Sequence, residues 1–589
     1  MCGIFGVARG TQPTLDLAEL RRARDTLIHR GPDHQADWHN EHIYISHTRL
    51  SIVDLSRDGH QPMVSDDNQT VLAVNGEIYN FVALRNELKR DHSFRSQSDS
   101  EVLLHGYRQW GIDELARRID GMYAFSLYDA SINKLFLVRD RVGIKPLYYS
   151  EPDPRWRFAW ASELKALQHH LRDDLHIDHS ALYDYLTYLY VPSPKSLYLN
   201  IKKLLPGHIL EYDLSSAKLS TRRYWNLDTT PATDPQARAN SAAQLYERLQ
   251  DAVSSHLVAD APLGFFLSGG VDSSAVVALA AKQHKQLNTY AIGFDADPES
   301  ELRYAQLVAE QLGANHHAAT LAETAAAQLV EALPQIYDEP FADSSALPTY
   351  LVAQHAARDL KVALSGDGGD ELFNGYPRYT PATRARMDRQ TGGESSFLGR
   401  LKSNAPAFKR AIRAYERTAG LNGFAYYTRL LGGLTYNEKA QYRAHWQIPS
   451  DYDDYWHFRN HYDSSLPGVK ALQVLDFHTY LPDGILTKVD RASMAHSLEV
   501  RVPLLDRELV EYSFRLSADT IGTDKALFKS TIAAELPAQI IDRPKRGFGA
   551  PAHSWRSGIF NRKLSRAEHL LEHFCPGELP AVITQATSP

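Results

Sequence analysis

The chain has 589 residues, 43% of them hydrophobic and 23% charged, and its formal net charge is −7. This length predicts two or three globular domains, and the mild acidic balance argues against a general nucleic-acid binder, which usually carries a basic patch. The only cysteines, Cys2 and Cys575, provide no disulfide framework and favour a reducing, cytoplasmic compartment. No signal-like start and no apolar run of about 18 residues is visible, so no membrane association is expected.

The first two hundred residues predict a sheet-rich, layered α+β unit. Helical patterns occur near 15–29 and 80–90. Runs that alternate apolar and polar residues predict strands near 42–46, 71–74, 123–128 and 134–138. The residues assigned to turns between these strands are Asn75-Gly76, Asn133 and Gly143.

A change of composition near 226–240 separates this unit from the rest of the chain. The segment is polar and contains two prolines, so it predicts a linker. A helical pattern over 240–257 follows. Buried strand-like runs at 262–267, 289–294 and 361–364 then alternate with helices, which predicts a parallel, doubly wound sheet. Residues 383–480 are mostly helical and aromatic, and the tail after about 560 is uninformative.

Cys2 is a candidate nucleophile. If Met1 is removed, Cys2 carries a thiol and a free α-amine, whose reference pKa of about 7.7–8.0 suits a base near neutral pH. Activation of a nucleophile by an adjacent base is an established form of covalent catalysis. Its position alone is weak evidence and favours a small buried thiol or chance, so the assignment depends on the motifs that follow.

Four motifs follow Cys2 in a fixed order: Arg30-Gly31-Pro32-Asp33, His47-Thr48-Arg49-Leu50-Ser51-Ile52-Val53-Asp54, Asn75-Gly76-Glu77-Ile78-Tyr79-Asn80 and Ser98-Asp99. With them, residues 1–210 closely resemble the class II, N-terminal-nucleophile glutamine amidotransferases. The resemblance implies that Cys2 attacks the glutamine amide and releases ammonia, while Asn75 and the Gly76 N–H stabilise the oxyanion. The implied glutamine-binding residues are Arg49, Asn75, Glu77 and Asp99. Taken singly, an arginine or a carboxylate here is also compatible with a surface ion pair.

A glycine-rich loop marks the back part of the chain. Ser268-Gly269-Gly270-Val271-Asp272-Ser273-Ser274 follows an apolar run and precedes a helix, whose N-terminal N–H groups suit an anion. Asp272 would repel a phosphate unless it binds a metal, which implies Mg²⁺. The sequence contains no G-x-x-x-x-G-K-[ST] motif, which argues against a kinase-like or GTPase-like loop. The basic run Arg543-Pro544-Lys545-Arg546 is compatible with a phosphate contact or with a solvated loop.

This loop resembles the ATP-pyrophosphatase loop, and a second glycine- and carboxylate-rich element at 364–376 supports the likeness. Together with the front motifs, it makes nearly the whole chain similar to the asparagine synthetases. The resemblance implies an αββα N-terminal-nucleophile sandwich followed by a doubly wound parallel-sheet ATP-pyrophosphatase domain with helical insertions. The implied divisions are a glutaminase domain at 1–225, a linker at 226–240, a synthetase domain at 241–560 and a tail of unknown role at 561–589.

The resemblance also assigns residues in the synthetase domain. The implied ATP-binding residues are Leu267, Ser268, Gly269, Gly270, Asp272, Ser273, Ile292, Ser365 and Gly366. Asp272 and Asp370 would bind Mg²⁺, and Lys525 would compensate charge on the α-phosphate. Arg501 and Asp506 belong to a further motif of this family, but their roles stay open between structure and function.

The identity of the acceptor is the main open question. The expected reaction converts aspartate, glutamine and ATP to asparagine, glutamate, AMP and pyrophosphate through a β-aspartyl-adenylate, with ammonia passing between the two sites. Some asparagine synthetases carry glutamate where this chain has Asp367, a residue beside the acyl-adenylate that would handle protons or orient ammonia. The alternative is the same chemistry on a sugar uronate, a peptide carboxylate or a secondary-metabolite acid. A homodimer is expected from related enzymes.

Two other classes are disfavoured. A non-enzymatic protein derived from a synthetase would be expected to have lost Cys2, Asn75, Asp272 or Asp370, and all four are present. A zinc enzyme or a serine hydrolase would be expected to carry H-E-x-x-H or G-x-S-x-G, and neither motif occurs in the sequence.

Overall fold

The computed structural model describes residues 1–9, 15–153, 158–231, 240–294, 301–321, 323–388, 423–545, 547 and 565–580. The front part contains two six-stranded antiparallel sheets, with strand orders β10-β8-β9-β1-β3-β2 and β12-β11-β7-β6-β5-β4. The strands are β1 Cys2–Ala8, β2 His34–His39, β3 Ile43–Arg49, β4 Met63–Val64, β5 Thr70–Ile78, β6 Gly121–Asp129, β7 Lys134–Arg139, β8 Tyr148–Ser150, β9 Phe158–Ala161, β10 Ile201–Lys203, β11 His208–Asp213 and β12 Lys218–Arg223.

Side-chain alternation along the strands produces four layers. Ile4 of β1 and Val71 of β5 belong to the core between the two sheets, whereas their neighbours Phe5 and Leu72 pack against the outer helices. The helices of this part are α1 Leu17–Asp25, α2 Phe81–Leu88, α3 Glu101–Arg118, α4 Leu164–Leu171 and α5 His179–Tyr188. The predicted αββα sandwich is therefore confirmed.

Two features of the front part differ from the sequence interpretation. Asn75-Gly76 does not form a turn, because both residues lie inside β5, where the strand continues to Ile78. Asn133 and Gly143 do lie between strands with positive φ angles of 51° and 81°. Helix α3 is present in the structure, but the sequence patterns did not predict it. Its regular spacing is interrupted at Gly111, whose φ of 74° and ψ of 172° are not helical.

The back part is built on a five-stranded parallel sheet with the order β15-β14-β13-β16-β17. Its strands are β13 Leu263–Phe266, β14 Asn288–Phe294, β15 Asn315–Leu321, β16 Val362–Leu364 and β17 Glu499–Arg501. The chain extends the sheet in one direction from β13 to β15 and in the other direction with β16 and β17. The strand order therefore reverses between β13 and β16, which is where ligands bind in sheets of this type.

Helices surround this sheet, as the doubly wound prediction requires. They are α6 Ser241–His256, α7 Val271–Ala281, α8 Leu302–Leu312, α9 Glu323–Tyr337, α10 Ala346–Ala356, α11 Gly369–Leu372, α12 Pro381–Asp388, α13 Gly423–Leu431, α14 Ala440–His445, α15 Trp456–His461, α16 Lys470–His478, α17 Thr487–Met494, α18 Arg507–Arg515, α19 Ala518–Ile521, α20 Ala526–Ile532, α21 Ala538–Ile541 and α22 Arg566–Phe574. The predicted helical region 383–480 and the tail are described only in part, and 232–239 of the predicted linker lie outside the described residues.

The tail helix α22 packs on the front part of the chain. The Tyr185 hydroxyl on α5 donates a hydrogen bond of 2.9 Å to Ala567 O. Leu570 and Leu571 are buried in the same core as α5. The tail segment, which was uninformative as sequence, therefore packs on α5 of the front part.

Buried ion pairs join the front and back parts. Arg30 Nη1 lies 2.6 Å from Glu163 Oε1 and 2.8 Å from Asp490 Oδ2 on α17. Arg491 Nη1, also on α17, lies 2.9 Å from Glu163 Oε2. These four side chains are at most 2% exposed. Burying charges is costly unless they are paired, so this network requires both parts of the chain to be present.

No helix among the residues that the structure describes is long and apolar enough to cross a membrane.

Candidate active sites

Cys2 is the first residue of β1 and lies beside Arg49 of β3 in the antiparallel register. The residue is 6% exposed. Burial raises the pKa of its thiol, and the amino group of the chain acts in the opposite direction. The Cys2 backbone N–H donates a hydrogen bond of 3.1 Å to Asn75 Oδ1, which fixes the amide of Asn75 next to the candidate nucleophile.

Asn75 and Gly76 have the properties of an oxyanion-binding pair. Asn75 is fully buried, and its Nδ2 has no hydrogen-bond partner among the described residues. A buried amide donor without a partner costs about 1–3 kcal/mol, so its retention indicates a ligand that accepts the bond. Gly76 has a φ of 154°, and a Cβ there would lie 2.1 Å from Met122 O. Only glycine therefore allows β5 to approach β6 this closely beside Asn75.

Arg49 is a buried arginine whose guanidinium donates to loop carbonyls only. Its Nη1 bonds Ser56 O at 2.8 Å and its Nη2 bonds Asp54 O. The side chain forms no ion pair with any carboxylate in the described part of the chain, although the residue is 3% exposed. A buried guanidinium without a counter-ion suits a ligand carboxylate.

Glu77 and Asp99 supply negative charge at the same end of β5. Asp99 Oδ2 accepts a hydrogen bond of 2.7 Å from the Ile78 N–H. Burial raises the pKa of both carboxyl groups, and Asp99 further raises that of Glu77. The six residues predicted for the glutamine site thus lie on one end of β1, β3 and β5 and on the loop before α3.

Strand β17 of the back part reaches this site. The Met1 amino group lies 2.8 Å from Glu499 Oε2, and Arg501 Nη2 lies 3.6 Å from Glu77 Oε2. Arg501 Nε also bonds Glu499 Oε1 at 2.7 Å, and its backbone O accepts the Ser365 N–H. Arg501 therefore contacts the predicted glutamine site through its side chain and the second glycine-rich loop through its backbone. Sequence reasoning left its role open.

The first glycine-rich loop follows β13 and leads into α7. The Ser268 Oγ accepts a hydrogen bond of 3.2 Å from the Gly270 N–H and lies 3.2 Å from Ser273 Oγ. Gly269 has a φ of 74°, and a Cβ there would lie 2.6 Å from Ala305 N on α8. Gly269 therefore permits the loop to turn and to pack on α8, and it does not line the cavity described below.

The second glycine-rich loop packs directly on the first. It follows β16, the neighbour of β13, so that both loops leave the sheet at the same edge. A Cβ at Gly366 would lie 2.5 Å from Ser273 N, and one at Gly369 would lie 2.5 Å from Asp272 Oδ1. The Ser365 hydroxyl donates a hydrogen bond of 2.8 Å to Asp367 Oδ2. The two motifs recognised separately in the sequence thus form one surface.

Two carboxylates and two lysines lie at the centre of this surface. Lys525 Nζ contacts Asp272 Oδ2 and lies 2.6 Å from Asp370 Oδ1, while Lys545 Nζ contacts Asp370 Oδ2. Burial raises the pKa of Asp370, but the two lysines together hold that pKa below its usual range. Asp524 and Lys525 both have positive φ angles, 51° and 59°, which are unfavourable for residues with side chains. The backbone is therefore held in a costly conformation where Lys525 reaches both carboxylates.

These loops border a cavity of about 530 Å³, within the range of small-molecule sites. Of the nine residues predicted to bind ATP, all except Gly269 line it. The predicted catalytic and metal-binding residues of this part also line it: Asp367, Asp370 and Lys525. Arg543, Pro544 and Lys545 line it as well, which favours a phosphate contact for the basic run, and Arg546 lies outside the described residues.

Several lining residues were not predicted as site residues. They are Asp343, Ser345, Glu371, Tyr376, Tyr480 and Lys488, among others. Burial, and then the neighbouring Asp370, raise the pKa of Glu371 to about 7. The Tyr376 hydroxyl donates a hydrogen bond of 2.7 Å to Glu371 Oε1. Lys488 lies on α17, and its position in the cavity lining depends on the packing of that helix, which the sequence does not show.

Comparison with known proteins supports both halves. A family model described as a glutamine amidotransferase domain matches residues 1–225, and one described as asparagine synthase matches residues 244–573. The glutamine-hydrolyzing asparagine synthetase 1 of Bacillus subtilis is 32% identical over 576 residues, covering 95% of this chain and 89% of the relative. The chain belongs to the asparagine synthase family. It is accordingly an ATP-dependent, glutamine-using amide-forming ligase.

Two further relatives of this synthetase are similar over most of their length. A putative asparagine synthetase of Mycobacterium bovis is 33% identical, covering 94% of the chain and 88% of the relative. A second putative one, from Methanocaldococcus jannaschii, is 32% identical and covers 84% of the chain and 98% of the relative. The match therefore extends over both sites and does not depend on one domain.

Proposed function

We propose that the enzyme forms asparagine from aspartate, using ammonia released from glutamine and the cleavage of ATP to AMP and pyrophosphate. The names of its relatives support aspartate as the acceptor. The observation that carries the proposal is that one chain holds both a buried thiol beside an unpartnered amide donor and a carboxylate–lysine cluster in a ligand-sized cavity.

In the glutaminase site, Cys2 attacks the side-chain amide carbon of glutamine, and the resulting thioester is hydrolysed to glutamate. With Met1 removed, the Cys2 amine accepts the thiol proton and delivers it to the leaving ammonia. Asn75 Nδ2 and the Gly76 N–H donate hydrogen bonds to the oxyanion. Removing one such donor raises the activation barrier by about 3–4 kcal/mol. Arg49 binds the α-carboxylate, and Glu77 and Asp99 hold the ammonium group.

In the synthetase site, a carboxylate oxygen of the acceptor attacks the α-phosphorus of ATP and displaces pyrophosphate, giving an acyl-adenylate. Lys525 neutralises charge that accumulates on the phosphates. Ammonia then attacks the acyl carbon and displaces AMP, while Asp367 accepts a proton. Holding the adenylate in the cavity next to its nucleophile replaces a large entropic cost and limits hydrolysis.

Asp272 and Asp370 fit a Mg²⁺ ion that would accompany the nucleotide. The two carboxylates converge on one ammonium, Lys525 Nζ, and Asp272 Oδ1 is a buried oxygen without a hydrogen-bond partner among the described residues. Oxygen ligands of this type are those that Mg²⁺ prefers, and the ion would neutralise the phosphates when bound.

Product analysis tests the proposal. Purified protein would be incubated with glutamine, ATP, Mg²⁺ and aspartate, and the products would be measured by mass spectrometry against a control without aspartate. Asparagine, AMP and pyrophosphate are expected together, and only when aspartate is present. Release of glutamate without aspartate-dependent AMP would show that aspartate is not the acceptor.

The Cys2→Ala variant separates the two sites. It is expected to abolish glutamine-dependent synthesis, because the thioester requires the thiol, and to retain synthesis from ammonium salts. Glutamine-dependent turnover at the wild-type rate in this variant would contradict the assignment of Cys2. A cytoplasmic location and a homodimer are also proposed; gel filtration with light scattering measures the oligomeric state.

A further inference from the structure

A pair of stacked histidines lies beside the predicted glutamine site. The ring centroids of His34 and His60 are 3.6 Å apart, and the two ring planes are inclined by only 16°. Both residues are half-buried. His34 is the first residue of β2 and is paired with Arg49 of β3 in the antiparallel register, whereas His60 lies in the loop between β3 and β4. The stack therefore connects β2 to the loop that follows Arg49.

This loop holds the Arg49 guanidinium. Its carbonyl groups Asp54 O and Ser56 O accept the hydrogen bonds of the two Nη atoms. Gly59 packs against the same guanidinium, since a Cβ at this position would lie 2.3 Å from Arg49 Nη2. The backbone of residues 54–59 therefore sets the direction in which the guanidinium points.

The segment 54–59 is anchored at its two ends. At its start, the Asp54 N–H donates a hydrogen bond of 2.8 Å to Asp260 Oδ2. The four residues after Asp54 are exposed. At its end, the His60 ring stacks on His34, and the side chain of the next residue, Gln61, accepts a hydrogen bond of 2.7 Å from β5. The stack is thus the contact that ties the end of the segment to β2.

The charge state of the two rings favours this contact. Burial lowers the pKa of both imidazoles, and the neighbouring cations Arg49 and Arg57 lower it further. The rings are therefore neutral near pH 7 and stack without charge repulsion. Contacts between aromatic rings stabilise a structure beyond the area that they bury. His34 Nδ1 is buried without a hydrogen-bond partner among the described residues, so packing and not a bond to this atom orients the ring.

We propose that His34 and His60 are positioning residues for glutamine hydrolysis, whose stack holds the segment 54–59 so that Arg49 presents its free N–H groups to the α-carboxylate of glutamine. The inference rests on the proposed role of Arg49. Neither histidine contacts the substrate, and both act through the guanidinium. The stack therefore determines how well glutamine binds and does not take part in the chemical step, which Cys2 and Asn75 perform.

Single and double variants of the two histidines test the contact. His60→Ala is expected to raise the KM for glutamine by about 3–10-fold and to change kcat by less than about twofold. His34→Ala should have the same effect, and the double variant should be no worse than either single one, because all three lack the same stack. His60→Phe retains an aromatic ring and should restore the wild-type KM. Release of glutamate measures each value.

A double-mutant cycle shows whether the effect passes through Arg49. Arg49→Met is expected to raise the KM for glutamine by about 10–100-fold, because a hydrogen-bonded charge pair is lost. In this background, His60→Ala should cause no further change. The amide 4-aminobutanamide, which is glutamine without its α-carboxylate, provides a second form of the test. Its hydrolysis should proceed equally in the wild-type enzyme and in His60→Ala.

His39→Ala is the matched control, because that histidine lies at the other end of β2 with 42% of its side chain exposed. It should leave the KM for glutamine unchanged, and ammonia-dependent synthesis at the wild-type rate will show that each variant has folded. An unchanged KM in His60→Ala, or a loss that persists in the Arg49→Met background, would overturn the positioning role. An unchanged KM in Arg49→Met itself would instead contradict the proposed role of Arg49.

Discussion

At the scale of single residues, the informative side chains are buried polar groups that lack a partner. Asn75 Nδ2, Arg49 and Lys488 each carry an unused donor or an unpaired charge next to a candidate site. Such groups reduce stability unless a ligand satisfies them, so they indicate where a protein has been shaped for binding and not for packing. Lys470 differs from these three residues, because it is a buried lysine that lies away from both candidate sites.

Removal of the Asn75 side chain should impair glutamine hydrolysis selectively. Asn75→Ala is expected to lower kcat for glutamine hydrolysis by about 10²–10³-fold, because an oxyanion donor acts mainly in the transition state. Ammonia-dependent synthesis should persist. Steady-state kinetics with each nitrogen source measure both effects. A change confined to the KM for glutamine would instead assign Asn75 to ground-state binding.

Lys470 predicts a pH-dependent stability change. It is 2% exposed, and burial lowers its pKa to about 7. Because the folded pKa lies below the unfolded value of about 10.4, the cost of burying the charge is greatest below pH 7 and disappears toward pH 10. Lys470→Met is therefore expected to raise the free energy of unfolding by about 1–4 kcal/mol at pH 6.5 and by less at pH 9.5. Denaturant unfolding at both pH values measures this; an equal gain at both would contradict it.

At the scale of elements, both sites depend on glycine contacts between segments that are distant in sequence. Gly76 lets β5 approach β6, and Gly366 lets the second glycine-rich loop contact the first. The positions of Asn75 and Ser273 therefore depend on neighbouring glycines at which a Cβ would clash with the backbone of an adjacent segment. This makes the glycines as important to the geometry as the residues that carry the chemistry.

A methyl group at Gly366 tests this dependence. In Gly366→Ala the new Cβ would lie 2.5 Å from Ser273 N, so the two loops must separate. We expect the KM for ATP to rise by about tenfold or more and stability to fall by about 1–3 kcal/mol, typical of overpacking. Glutamine hydrolysis should be retained. ATP–pyrophosphate exchange measures the first effect, and denaturant unfolding measures the second.

The sequence predicted local elements better than their relations. The strands near 71–74 and 134–138, the helices near 80–90 and 240–257, and the loops after β13 and β16 correspond to motifs that short segments contain. Asn75-Gly76 was wrongly assigned to a turn, because that dipeptide favours turns unless a neighbouring strand holds it extended. The sequence did not predict that Lys488 and Asp343 line the synthetase cavity, because their positions arise from the packing of α17 and α10 around it.

At the scale of the whole molecule, the two parts share charged groups that neither could bury alone. Arg30 is paired with Glu163 in the front part and with Asp490 in the back part, and its Nε bonds the Cys2 carbonyl at 3.0 Å. The interface is thus connected to the nucleophile by one side chain. A change on α17 can therefore affect the glutaminase site.

Asp490→Asn tests this connection. The variant leaves Arg30 with a weaker partner in a buried position, so the free energy of unfolding is expected to fall by about 3–5 kcal/mol. Glutamine-dependent synthesis should fall more than ammonia-dependent synthesis, because Arg30 holds the Cys2 backbone. Calorimetry and the two assays measure these effects. Asp388→Asn, which alters a more exposed ion pair with Arg384, is the control and should change stability by about 0.5 kcal/mol or less.

The position of β17 limits how the gene for such an enzyme can be rearranged. This three-residue strand completes the parallel sheet, yet Glu499 and Arg501 reach the Met1 amine and Glu77 near the opposite end of the chain. A gene split that produced the front part as a separate polypeptide would expose these groups to water and leave the nucleophile without its distant neighbours. Fission would therefore have to be followed by reassembly of the two products, and a free-standing glutaminase derived from this chain would first need new residues in place of β17.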